Sequence, residues 1–168
     1  MKYLFGPVNS RRLGRSLGID LIPSKICSFD CIYCEVGAKR LITAERKEYA
    51  PLAALLAEVD SYLAQPGGAD LFDMLTITAS GEPTLHTGIG RLIEELRKRS
   101  AKPVAVLTNG SLLSDREVRH DLAEADLVIP SLDAARDESY RKVNRPHPDF
   151  PIARLIEGLV RFSREYHG

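Results

Sequence analysis

Several absences narrow the field before any motif is considered. Lys plus Arg and Asp plus Glu each number 23, so the chain carries no formal net charge, and its overall charge offers no attraction to a polyanion. No apolar run is long enough to cross a bilayer. The opening MKYLFGPVNS lacks the apolar stretch of a secretory signal. Together these give the expectation of a cytoplasmic protein with no membrane partner. Internal repeats and low-complexity tracts are lacking too, which argues against solenoids and disordered arms. Cysteine is scarce, at three residues in 168. An odd number, closely clustered, argues against a disulfide framework and for metal or redox work in a reducing compartment.

What is present is ordinary globular material, 44% apolar and 27% charged, in a length suited to one domain over residues 1–168. Four short apolar runs read as strands: LGIDLI (17–22), MLTITA (74–79), VAVLT (104–108) and LVIP (127–130). The last three are nearly continuous in apolar residues and rich in β-branched ones, the pattern of strands covered on both faces. Between them lie helical stripes. Leu52, Leu55, Leu56, Val59, Tyr62 and Leu63 form one, and Ile89, Leu92, Ile93 and Leu96 another. Ser114 with Glu117 reads as a capping box opening a third helix toward Leu122. Ile152, Leu155, Ile156, Leu159 and Val160 mark a fourth, with Pro151 at or near its start. The alternation predicts an α/β fold with a parallel sheet of about four βα units.

In such folds ligands gather at the C-terminal ends of the strands, and each strand here runs into a pointed loop. The loops are KICSFDCIYCEVG (25–37), SGEPTL (80–85), NGSLL (109–113) and SLDAA (131–135). The first holds all three cysteines, Cys27, Cys31 and Cys34, in a C-x3-C-x2-C pattern. Besides three incidental buried cysteines, or a catalytic zinc held by three cysteines and water, two chemistries suit it. A 4Fe-4S cluster normally takes four thiolates, so three leave one iron open to a small molecule. Alternatively, a non-catalytic module could hold zinc with three cysteines and one of His86, His120, His147 or His167. In the second loop, Gly81 permits close backbone approach and Glu82 offers a carboxylate to a cation. The same residues also suit a plain turn capped by Thr84 or Thr87. Asn109–Gly110 is a turn dipeptide whose amide could also reach a ligand, and Asp133 could equally cap a helix. Arg11, Arg12 and Arg15, and Arg141, Lys142 and Arg145, could grip phosphates or form solvated faces.

C-x3-C-x2-C with Tyr33 before the last cysteine, followed by SGEPTL after the second strand, resembles the radical S-adenosylmethionine (SAM) superfamily. The wider text GPVNSRRLGRSLGIDLIPSKICSFDCIYCEVG…SGEPTL…LTNGSLL is similar to a branch of it related to tRNA wyosine-synthesis enzymes. The resemblance implies a partial (β/α) TIM-like barrel, here truncated from the usual six units to about four. It implies that Cys27, Cys31 and Cys34 hold three irons of a 4Fe-4S cluster. S-adenosylmethionine would chelate the fourth iron and be cleaved to methionine and a 5′-deoxyadenosyl radical, which takes a hydrogen from substrate. By the same resemblance, Ser80, Gly81, Glu82 and Pro83 border the methionine amino group and Ser131 contacts the cofactor carboxylate. Asp133 reaches ribose or substrate, where the Asn109 amide could also bond, and Tyr33 lies near the adenine. The implied partners are a reductant protein such as flavodoxin or ferredoxin, and a substrate that is either an RNA base or a peptide or small metabolite. A full barrel takes about 250 residues. The expectation is therefore a trimmed chain, or a short form that covers its open fourth-strand edge with a second copy or a partner.

Overall fold

The structure is a computed structural model that describes residues 1–37 and 40–168. Its centre is a five-stranded sheet in the order β1-β2-β5-β6-β7. The strands are β1 (Leu4–Ser10), β2 (Gly14–Asp20), β5 (Met74–Thr78), β6 (Val104–Thr108) and β7 (Leu127–Pro130). β2, β5, β6 and β7 run parallel to one another, while β1 pairs antiparallel with β2 through a tight hairpin. The two-residue strands β3 (Ile26–Cys27) and β4 (Leu41–Ile42) form a separate parallel ladder. Helices α1 (Leu52–Leu63), α2 (Ile89–Arg99), α3 (Arg116–Leu122), α4 (Asp137–Asn144) and α5 (Ile152–Glu165) complete the order. Among the described residues no helix is long and apolar enough to cross a membrane.

The core follows from the period-two pattern of the strands. Leu17, Ile19, Leu75, Ile77, Val104 and Val106 are fully buried, in one cluster with Leu55, Val59, Leu92, Ile93 and Leu96 of α1 and α2. At the alternate positions Ser16 and Thr76 share a 2.6 Å hydroxyl bond, and Thr78, Leu107 and Ile129 line a cavity. The near-continuous apolar runs read as strands covered by packing on both faces. In the structure Thr76 and Ala105 of the second face are buried, as that reading has it, and only toward the C-terminal ends do Thr78, Leu107 and Ile129 border a ligand-sized space.

Two further differences have plain causes. The first strand begins three residues earlier than its apolar run, and a hairpin partner precedes it. β1 escapes the alternation rule because Gly6–Pro7 interrupts its register, which shifts between Phe5 and Val8. The third helix is capped by Asp115, whose carboxylate accepts from Glu117 N at 2.9 Å. Ser114 is turned instead to accept from Arg154 Nε at 2.8 Å.

At the N-terminal end of the sheet, Asp73 takes two bonds from the Arg15 guanidinium, at 2.7 and 3.1 Å, and one from Arg15 N at 2.9 Å. The guanidinium bonds come first in holding this carboxyl at about 2, below its usual 3.8. A carboxyl depressed in the folded state stabilises it above the unfolded value, and that contribution fades as pH falls through the folded one. The stability difference between wild type and Asp73→Asn, followed by urea titration, is therefore expected to be constant near neutrality. It should shrink between about pH 4 and pH 2, and a difference that stays flat across that window would contradict the pairing.

Candidate functional site

The C-terminal ends of the parallel strands share one cavity of about 480 Å³. Cys27, Cys31 and Cys34 all line it, together with Tyr33, Gly81, Glu82, Asn109 and Ser131. Cys27 is buried, and Cys31 and Cys34 are partly exposed. A turn bond from Cys34 N to Cys31 O, at 3.1 Å, brings the second and third cysteines to the same end of the loop. The loop is anchored to the sheet by the second-strand turn: Glu82 N donates to Ile26 O at 3.1 Å. That approach leaves no room for a side chain at residue 81, where a Cβ would lie 1.5 Å from Ile26 O.

Glu82 is 1% exposed and acts as a clip between two loops. Its Oε1 accepts from Thr84 N at 3.0 Å, Thr84 Oγ1 at 2.6 Å and Thr108 Oγ1 at 2.6 Å. Its Oε2 accepts from Asn109 N at 2.7 Å. Burial pushes this carboxyl up, against the pull of those four bonds. Ser80 and Pro83, expected beside the methionine amino group, do not line the cavity. Ser80 donates from N and Oγ to Asp20, at 3.0 and 2.5 Å, and Pro83 is buried at the start of a short 3-10 turn. Asp133 also lies off the lining. It accepts from Tyr33 Oη and from Asn144 Nδ2 at 2.6 Å.

The cysteine sulfurs have amide neighbours. Asn109 Nδ2 stands 3.6 Å from Cys27 Sγ and 2.8 Å from Ser28 Oγ, and Asn144 Nδ2 stands 3.5 Å from Cys31 Sγ. Burial pushes the Cys31 thiol up, partly offset by the hydrogen bond from Asn144. Tyr33 is likewise raised, first by burial and then by its bond to Asp133. Phe29 is buried beneath the loop and meets Tyr140 edge-on at 5.6 Å. Below Asn109, Ser28 and Ser111 share a fully buried 2.7 Å hydroxyl bond. Ser111→Ala is expected to cost about 1 kcal/mol, the net worth of one such bond, when urea midpoints are compared. A loss near zero would place the pair outside the folding energetics.

The donor set bears on the chemistries raised by the cysteines. None of the four histidines lines the cavity. His86 is buried, with Nε2 donating to Ala50 O at 2.9 Å and Nδ1 accepting from Gly88 N at 2.9 Å. His147 sits beside Asp149 in a different cavity. A zinc site of three cysteines and one histidine therefore finds no imidazole here. Among the described residues no three His, Cys, Asp or Glu side chains are gathered around one ion position. A cubane places each thiolate on a different iron, so its ligands stand farther apart than those of a single ion. Three thiols on one cavity fit it. Most of the basic residues that could have gripped phosphates are paired with acids: Arg15 with Asp73, Arg141 with Asp137, Lys142 with Glu138, and Arg145 with Asp30. Arg12 lines the cavity.

Ser28, Ser111 and Asn144 are site residues that sequence reasoning missed. Asn144 is 113 residues from Cys31, in a segment whose only visible feature was its basic flanks, and no spacing rule links the two.

Comparison with known proteins bears on the same region. A family model described as the Radical SAM superfamily matches residues 21–164. The chain is 39% identical over 168 residues to a UPF0026 protein of Methanocaldococcus jannaschii, covering 100% of this chain and 52% of the relative. It is 40% identical over 167 residues to a Brachyspira hyodysenteriae protein named GTPase Obg, covering 99% of this chain and 24% of that one. A probable GTP 3′,8-cyclase of Saccharolobus islandicus is 27% identical over 150 residues, covering 88% of this chain and 44% of the relative. The chain thus spans about half the length, or less, of these three relatives.

Proposed function

The chain belongs to the radical SAM superfamily, and we propose that within it Cys27, Cys31 and Cys34 hold a 4Fe-4S cluster with one iron left for S-adenosylmethionine. The observation that carries this reading is the meeting of all three thiols in one cavity at the C-terminal ends of the parallel strands. When bound, the cluster supplies the electron that splits S-adenosylmethionine into methionine and a 5′-deoxyadenosyl radical, which abstracts hydrogen from a substrate.

The protein's own part is to bind, orient and shield. Cys27, buried against the core, fixes the inner side of the loop, while Cys31 and Cys34 close it toward the opening. Gly81, Glu82, Asn109 and Ser131 present backbone and side-chain polar groups from three strand ends to the cofactor's amino, carboxylate and ribose groups. Glu82 keeps two of those strand ends in register, and Asn109 adds its amide to that wall. Tyr33 stands at the rim, 55% exposed, where its ring can cover an adenine. Phe29 closes the space behind the loop against water. The sheet is read as part of a partial (β/α) barrel of about four units, with a flavodoxin- or ferredoxin-type protein as electron donor.

Anaerobic reconstitution with iron and sulfide, followed by dithionite and S-adenosylmethionine, tests the proposal. The expected result is bound iron and sulfide with formation of 5′-deoxyadenosine. Stoichiometric zinc without sulfide, in protein purified anaerobically, would sink it in favour of a non-catalytic metal module. The substrate class is separable by salt. If the substrate is an RNA base, tRNA affinity should fall steeply with ionic strength as phosphate contacts release counterions. A peptide or small-metabolite substrate predicts no such tRNA binding.

A further inference from the structure

The C-terminal end of α4 is built onto the cysteine loop. The last carbonyls of a helix have no partner within it. Here Val143 O accepts from Ile32 N at 2.9 Å and Asn144 O accepts from Asp30 N at 3.0 Å. Just beyond, Pro146 bridges to Phe29, and His147 N donates to Ser28 O at 2.8 Å. The backbone on both sides of the Asn144 side chain is thereby fixed against the loop.

That side chain is 3% exposed, and its amide nitrogen has two hydrogens with two acceptors in reach. One is Cys31 Sγ at 3.5 Å and the other Asp133 Oδ2 at 2.6 Å. Asp133 is held from its other side by Tyr33 Oη. The amide thus stands between a thiolate and a carboxylate and donates to both. Among the described residues its oxygen is buried with no hydrogen-bond partner. A buried amide held with one end unpaired is costly, so the position is not explained by folding energetics alone.

We propose that Asn144 is a positioning residue for the cluster, setting its reduction potential through the N–H···S bond to Cys31; this rests on the cluster reading above. Reduction adds negative charge that spreads onto the thiolates, and a donor aimed at one of them stabilises the reduced form. Removing that donor lowers the potential, and the same change leaves Asp133 with Tyr33 Oη as its remaining donor beside Cys31, which lowers it further. Asn109 is a second amide near a sulfur, but its oxygen accepts from Ser111 N, so replacing it would also break a bond within its own turn. Asn144 is therefore the cleaner place to look.

The test compares wild type, Asn144→Leu, Asn144→Ser and the exposed helix control Lys142→Ala, each reconstituted anaerobically as the full chain. Iron and sulfide content are measured, then the midpoint potential by reductive titration followed with electron paramagnetic resonance. Asn144→Leu is expected to hold iron and sulfide as wild type does, but with a reduced fraction roughly tenfold smaller at a fixed potential, about 59 mV lower for a one-electron couple. Asn144→Ser, whose hydroxyl can donate to only one of the two anions, should shift in the same direction by less, and it reads the effect should the leucine variant not fold. Lys142→Ala should match wild type. Midpoints of both Asn144 variants that coincide with wild type would overturn the assignment. A wild-type chain that takes up no cluster is a different result, because it removes the reading on which the assignment rests.

Discussion

Replacing Cys31 by alanine is expected to abolish cluster binding while leaving the fold in place. The two halves of that result come from different features. Cys31 lies at the edge of the core, partly buried and packed against it without being enclosed. Its loss removes one small side chain and one amide-to-sulfur bond, a cost of about 1 kcal/mol. The backbone bonds that hold the loop, from Asp30, Ile32 and Cys34, do not involve its sulfur. For metal uptake the change is severe. Loss of a residue that merely orients a ligand costs 10–100-fold in metal affinity, and loss of one of three ligands should exceed about 100-fold by the same measure. Iron and sulfide in the reconstituted Cys31→Ala protein should fall to background while its urea midpoint stays near wild type. Full iron and sulfide in that variant would refute the ligand assignment.

The largest expected effect on stability is at Gly81. A Cβ there would lie 1.5 Å from Ile26 O and 2.4 Å from Ile26 C. Both are backbone atoms of β3, which contains Cys27. No rotamer change can relieve the clash, so the turn and the cysteine loop must move apart and give up the Glu82 N to Ile26 O bond. Overpacking costs 1–3 kcal/mol where side chains can adjust and more where they cannot, so Gly81→Ala should lose about 3 kcal/mol. For a chain of this size that corresponds to a melting temperature lower by roughly 10 °C. Gly67→Ala makes the useful contrast. Residue 67 has φ +71° but nothing within 4 Å of the added carbon, so its cost is conformational and about 1 kcal/mol. If the two variants melt together, the steric account of the turn is wrong.

Much of the scaffold was legible because burial leaves a periodic trace. Residues 74–78, 104–108 and 127–130 show as strands through β-branched runs. α1 and α2 show through stripes that face the core; the α5 stripe marked the helix, although Ile156 and Val160 within it are exposed and Leu155, Gly158 and Phe162 are the buried ones. α4 left no such trace, since Tyr140 and Asn144 alone are buried along it, and two residues do not make a stripe. β1 was hidden by its glycine–proline break. The cysteines were readable because their spacing is compressed into one loop. The roles inside SGEPTL were harder to divide. Ser80 and Pro83 hold the turn to Asp20 and to the core, Glu82 ties it to β6, and the pattern of letters does not distinguish these partners from a bound cofactor. Contacts such as Asn144 with Cys31 exist only after the chain has folded back on itself, and local sequence holds no record of them.

The brace on the cysteine loop has a consequence for biogenesis. The thiols leave the ribosome early, yet the carbonyls of Val143 and Asn144 that receive the loop's amides are made more than a hundred residues later. Translation proceeds from the N-terminus, so a nascent chain exposes its three sulfurs well before the cradle exists. Iron delivered during elongation would meet an unshaped peptide with oxidisable thiols. On the cluster reading proposed above, the architecture therefore favours loading only after residues 143–147 have folded onto the loop.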